Sequence, residues 1–149
     1  MVYPTRRQRS RRHALVLIKR TKPGRGTYGT TPGGGVEESD ATPEAALHRE
    51  LTEELGATAT SHVSQVLLLS APSPDGLVID HLFVARLVGL DESRRYGPEF
   101  SDPGRGTYDV ERVDLAGDAL APVDLKPAEL KDYILANRDA LLVEVGLAG

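Results

Sequence analysis

Arg49, Glu50, Glu53 and Glu54 fall within two helical turns, in the run Arg49-Glu50-Leu51-Thr52-Glu53-Glu54-Leu55-Gly56-Ala57. At about 100° per residue the three glutamates are related by i+3 and i+4, so they share one helix face with Cβ atoms roughly 5–6 Å apart. Like charges so placed repel by about 0.2–0.5 kcal/mol per pair on an exposed helix, and a hard divalent cation such as Mg²⁺, which takes oxygen ligands, reverses the sign. A run of glutamates alone also describes an ordinary solvated helix face. The surroundings tip the reading toward a site. Just upstream, Thr31-Pro32-Gly33-Gly34-Gly35-Val36-Glu37 is a Gly-rich loop. The backbone N–H groups around Gly34 and Gly35 can approach an anion without interference from Cβ atoms.

The elements that must position these groups are legible nearby. Thr42-Pro43-Glu44 is a helix start: Thr caps, Pro suits the first position where no N–H is needed, and Glu complements the positive end of the dipole. Gly56 is a stop. The spacing therefore predicts a helix from Pro43 to Leu55, with Leu47, Leu51 and Leu55 as an apolar stripe beside the carboxylates. Apolar runs at Ala14 to Ile18, Val63 to Leu69 and Leu77 to Val88 read as strands, and Pro72-Ser73-Pro74-Asp75-Gly76 as a turn. Val110, Val113 and Leu115 suggest a further strand. Pro127 to Leu142, with Leu130, Ile134 and Leu141 at helical spacing, reads as one amphipathic closing helix. Strands interleaved with two helices predict an α/β sandwich around one core, which 149 residues, 40% of them hydrophobic, can supply.

Other classes are disfavoured. The chain shows no transmembrane run, signal peptide or low-complexity tail, so no membrane partner is expected. Cysteine is absent, which removes disulfides and thiolate metal sites and fits a cytoplasmic location. The four histidines lack paired ligand spacing, against a zinc site; His81 reads as a partly buried structural residue.

Residues 1–36 carry nine Lys and Arg and no acid, a charge of +9 against −13 for the remainder. Residues 1–10 read as a basic, frayed arm and 11–149 as the domain. The acidic remainder and the lack of a reading motif make nucleic acid an unlikely partner. Arg12, Lys19 and Arg20 flank the first apolar run and are candidates for holding substrate phosphates. Pro23-Gly24-Arg25-Gly26-Thr27-Tyr28 recurs letter for letter as Pro103-Gly104-Arg105-Gly106-Thr107-Tyr108. Two convergent turns explain such a short repeat; a functional reading has both loops flank the cleft, with Arg105 offering a guanidinium to phosphate and Tyr28 or Tyr108 a ring to a base.

Loop and helix together resemble the Nudix box: Gly, five residues, Glu, seven residues, Arg-Glu, an aliphatic residue, any residue, Glu-Glu, any residue, Gly, an aliphatic residue. Gly35, Arg49, Glu50, Leu51, Glu53, Glu54 and Gly56 match in register, with Ala57 in the last apolar place. The first Glu of the pattern falls on Ala41, beside Asp40. The resemblance implies a single-domain α/β/α sandwich with a mixed β-sheet, and Glu50, Glu53 and Glu54 as ligands of Mg²⁺, with Mn²⁺ as a substitute. It makes Glu50 or Glu53 the catalytic base and Arg49 the residue that orients a neighbouring glutamate. Many relatives add a carboxylate from a distant loop, for which Glu99, Asp102, Asp109 and Glu111 are available. The implied activity is hydrolysis of a phosphoanhydride in a nucleoside diphosphate linked to another moiety X. Pyrophosphohydrolysis of oxidised nucleoside triphosphates and a non-catalytic nucleotide-binding module are the alternatives, the second disfavoured by the intact glutamates. Homodimers are frequent among such proteins.

Overall fold

A run of apolar residues that is buried on both faces marks the centre of the sheet. In the computed structural model, which describes residues 2–4 and 13–146, strand β2 (His13–Lys22) buries every side chain from Ala14 to Ile18, as a strand covered by layers on both sides must. Around it stand β1 (Val2–Pro4), β3 (Gly26–Thr30), α1 (Pro43–Leu55), β4 (Ala57–Ser73), β5 (Gly76–Leu90), β6 (Thr107–Asp114), β7 (Leu125–Lys126), α2 (Ala128–Ala136) and α3 (Arg138–Glu144). Short 3₁₀ turns at Glu92–Arg94, Pro98–Phe100 and Pro103–Arg105 bridge β5 and β6.

β2 takes β6 along one edge and β1, then β3, along the other, all antiparallel. The β1–β5 and β3–β7 pairings are parallel, so the sheet is mixed. Because side chains alternate along a strand, β2 feeds two cores. Val16 and Ile18 pack with Leu51 and Leu55 of α1, and Leu15 and Leu17 with Leu130 and Ile134 of α2 and Leu141 of α3. The result is the expected α/β/α sandwich. Burying a Leu such as Leu51 or Leu55 is worth about 1.5–3 kcal/mol, so α1 is fixed to the sheet by its apolar stripe and its other flank stays available.

Helix α1 has the predicted bounds. Thr42 Oγ1 accepts from the Ala45 N–H at 3.0 Å, Pro43 opens the helix, and Gly56 ends it in the left-handed conformation at φ 59°. A Cβ on Gly56 would lie 1.9 Å from the Asp91 carbonyl oxygen; glycine is required there.

The structure differs from the sequence pattern at several places. The closing helix is two helices, because Asn137 leaves helical geometry (φ −125°, ψ 21°) and its side chain donates to the Tyr133 carbonyl at 2.9 Å; an Asn that bonds local backbone competes with helix propagation. Leu130, Ile134 and Leu141 nevertheless all face the core. Strand β4 begins directly after Gly56 rather than at Val63, with register shifts along its pairing with β5. Val2–Pro4, assigned to the basic arm, pairs with β2 and β5. His81 is exposed, its Nδ1 3.3 Å from Gln65 Oε1 across the hairpin. Residues 5–12 of the arm, including Arg12, lie outside the described residues. Among the described residues no helix is long and apolar enough to cross a membrane.

Candidate functional site

Arg49 is the hub of the acidic face. Its Nε donates to Asp40 Oδ1 and Oδ2 at 3.0 and 3.2 Å and its Nη2 to Asp40 Oδ2 at 2.9 Å. Nη1 donates to Glu50 Oε1 at 2.9 Å and Glu53 Oε2 at 3.3 Å, while Nη2 also reaches the Gly35 carbonyl at 2.9 Å. Glu37 stands 3.5 Å from the same guanidinium. One planar fork thus ties the loop to the helix, a geometry that Arg provides and Lys does not. Asp40, next to the Ala41 at which the pattern has Glu, delivers a carboxylate into the cluster. Its hydrogen bonds to Arg49 and to the Glu37 N–H hold its carboxyl below the usual carboxylate range, and they raise the already high pKa of Arg49.

The glutamates are strained in the opposite sense. Glu50 is the only buried charged or polar residue among the described residues, and burial pushes its carboxyl up despite Arg49. Glu54 is pushed up to about 7, chiefly by burial, with Glu50 and Glu99 adding repulsion; the Gly33 N–H, donating to Glu54 Oε2 at 2.9 Å, opposes the shift. A Cβ on Gly34 would lie 2.3 Å from Glu50 Oε1, so this glycine permits the close approach of loop and carboxylate.

Carboxylates suit a hard cation, and the raised Glu50 and Glu54 pKa values mark negative charge that the protein itself leaves poorly compensated; the donor set fits Mg²⁺ or Mn²⁺. As they stand, Glu50 and Glu53 are turned onto Arg49 and Glu54 onto Gly33. Among the described residues no three acidic or imidazole side chains converge closely enough to enclose an ion.

Of the distant carboxylates, Glu99 is the one whose charge acts on both Glu50 and Glu54. Asp102 instead accepts from the Gly104 N–H and pairs with Arg105 at 3.4 Å. Asp109 and Glu111 stand opposite Lys19 and Leu17 in the β2–β6 register, on the sheet face away from α1.

The two copies of the hexapeptide flank β2. Tyr28 and Tyr108 are both register partners of Arg20, and Thr27 and Thr107 of Thr21. The three residues Tyr28, Arg20 and Tyr108 therefore form a row on the α1 side of the sheet. Arg20 is committed to the second copy: it donates to the Thr107 and Arg105 carbonyls at 3.1 and 2.8 Å, and its Cζ lies 3.6 Å from the Tyr108 ring centre. That ring face is covered, and the ring also makes an edge-to-face contact with Phe100, centroids 5.6 Å apart. Tyr28 has the Lys126 ammonium 5.9 Å from its ring centre.

Arg95 joins the site without any mark in the sequence. Its guanidinium stacks on Phe100 with Cζ 4.3 Å from the ring centre and donates to the Tyr108 carbonyl, and burial lowers its pKa among Glu92, Glu54, Asp109 and Glu99. Its Nε is buried without a partner among the described residues. No local pattern marks this residue; only the fold brings it to Glu54. The sequence also gave no sign of a cavity of about 560 Å³ that runs from Gly33–Gly35 and Glu50 to β5 and α2.

The family model of the NUDIX domain matches residues 2–128. Among solved structures, the chain resembles the ORF135 protein of E. coli, at 23% identity over 93% of this chain and 90% of that one, with a TM-score of 0.54. It also resembles a MutT/nudix family protein from Enterococcus faecalis at 18% identity and a TM-score of 0.52, over 97% of this chain and 64% of that longer one. No curated protein matches.

Proposed function

The chain belongs to the NUDIX domain family, whose members generally hydrolyse nucleoside diphosphate derivatives, and from that premise we propose that it is a Mg²⁺-dependent hydrolase of a nucleoside diphosphate linked to another moiety X. The observation that carries the proposal is the juxtaposition of the Gly33–Gly35 loop with Glu50 and Glu54, two carboxylates whose pKa values burial has raised.

Glu50, Glu53 and Glu54 would hold a divalent cation, which would supply charge neutralisation at the diphosphate and acidify a water. The chain's own residues do the rest. The loop N–H groups and the flanking basic side chains hold phosphate oxygens. Arg49 keeps Glu50 and Glu53 aimed through charge-assisted bonds. Glu53 or Glu50 receives the proton of the attacking water, with Glu99 as the carboxylate contributed by the β5–β6 segment. The new P–O bond forms as the anhydride P–O bond breaks, and the bridging oxygen leaves with the second phosphate. Tyr28 is assigned to the nucleoside and Arg105 and Arg12 to substrate phosphates; Tyr108, its ring face covered by Arg20, positions Arg20 instead.

Incubation with Mg²⁺ and a panel of nucleotide sugars, dinucleoside polyphosphates, coenzyme-type diphosphates, oxidised nucleoside triphosphates and ordinary nucleoside triphosphates, followed by product separation, tests this. Release of a nucleoside monophosphate and phosphorylated X from a diphosphate substrate is expected. Pyrophosphate from oxidised triphosphates alone would favour the housecleaning reading, and binding without products the non-catalytic one.

A further inference from the structure

We propose that X is an aliphatic group and that the cavity beside Glu50 is its binding site; this rests on the hydrolase reading above. The cavity holds about 560 Å³, within the roughly 300–1,000 Å³ of small-molecule sites. One end is the catalytic end, formed by Gly33, Gly34, Gly35 and Glu50. The buried wall beyond it is hydrocarbon: Leu15, Val84, Leu115, Leu130, Ile134 and Leu141. Glu50 is the sole buried polar side chain among the described residues; the half-buried Thr30, Thr31 and Tyr133 also line the cavity, so its side-chain hydrogen-bonding groups are few beside its hydrocarbon. The remaining polar lining residues, Asp80, His81 and Lys126, are exposed.

The wall also continues outward. Val78 and Ile79 line the cavity yet are 47% and 51% exposed. Val78 shares its strand face with Leu82 and Val84, which also line the cavity, so an exposed aliphatic position leads into the hydrocarbon wall whose other end is the diphosphate site. An alkyl or prenyl chain attached to the diphosphate would run from Glu50 along this wall to the hairpin. A polar X would instead bury hydroxyl and N–H groups against hydrocarbon.

Methyl, butyl, octyl and dodecyl monoesters of methylenediphosphonate, titrated calorimetrically in the presence of Mg²⁺, test the assignment. Affinity should rise by about fourfold per added methylene until the cavity is full, with a heat capacity of binding that grows more negative with chain length. The Val78→Ser, Ile79→Ser double variant changes exposed positions only; it should flatten the dependence for the long chains and leave the methyl ester unaffected. Affinity independent of chain length, or no binding of any ester, would overturn the assignment. Failure of the hydrolase reading shows separately, as absent turnover of every diphosphate substrate while the chain-length dependence persists.

Discussion

Glu54 sets the pH behaviour of the site. Its carboxyl titrates near 7 in the fold against an ordinary value of 4.5, so the folded state holds the proton more tightly than the unfolded chain. Stability from this group is fully present below pH 4.5 and is lost as the pH rises through about 7. A cation requires the deprotonated form and competes with that proton. Saturating Mg²⁺ should therefore raise Tm little at pH 5.5 and clearly at pH 8, as followed by thermal melts at both pH values. An equal effect of Mg²⁺ at both would separate Glu54 from the cation. The acidic triad and Arg49 were legible because they sit within one helix, where spacing alone fixes the face. Asp40 was legible only as a neighbour of the mismatched Ala41, and its three hydrogen bonds to Arg49 required the loop's path. Arg95 was invisible: its partners Phe100, Tyr108 and Glu54 are assembled by the β5–β6 segment folding back on α1.

Helix α1 carries the chemistry, and its two ends test how it is held. Thr42→Ala removes the cap on the Ala45 N–H and should cost about 0.5–2 kcal/mol. Gly56→Ala imposes a left-handed φ on a residue with a Cβ and drives that Cβ into the Asp91 carbonyl, so it should cost more than Thr42→Ala. Thermal or denaturant unfolding of both variants decides: a Gly56→Ala protein as stable as Thr42→Ala would show that the helix end relaxes without penalty. Caps act locally, which is why the bounds of α1 could be read from Thr42, Pro43 and Gly56. The closing helix could not be read so well, because the break at Asn137 turns on a choice between Tyr133 and the helix ladder that apolar periodicity does not report. The turn from Pro72 to Gly76 was readable from its residue types, but the length of β4 was not: Ala57 and Ala59 are buried against Ala85 and Leu87, a tertiary gain.

At the scale of the whole molecule, the sandwich was legible because β2 is apolar on both faces and one helix on each side has an apolar stripe. The relation between the hexapeptide copies was not. Identical letters gave two turns, and only the sheet order, with β3 and β6 on opposite edges of β2, set Tyr28 and Tyr108 on one row with Arg20. The cavity likewise arises from the loop, β5 and α2 meeting. These long-range features place α1's acidic flank between a basic–aromatic row and an apolar chamber. The most direct test of its role is turnover of a diphosphate substrate in Mg²⁺ by Glu53→Gln and Glu54→Gln variants whose melting temperatures are measured alongside. Loss of at least about a hundredfold in kcat with the fold retained is expected, as when one charge of a catalytic metal site is removed; variants that fold and turn over at the parent rate would contradict a catalytic role for this flank.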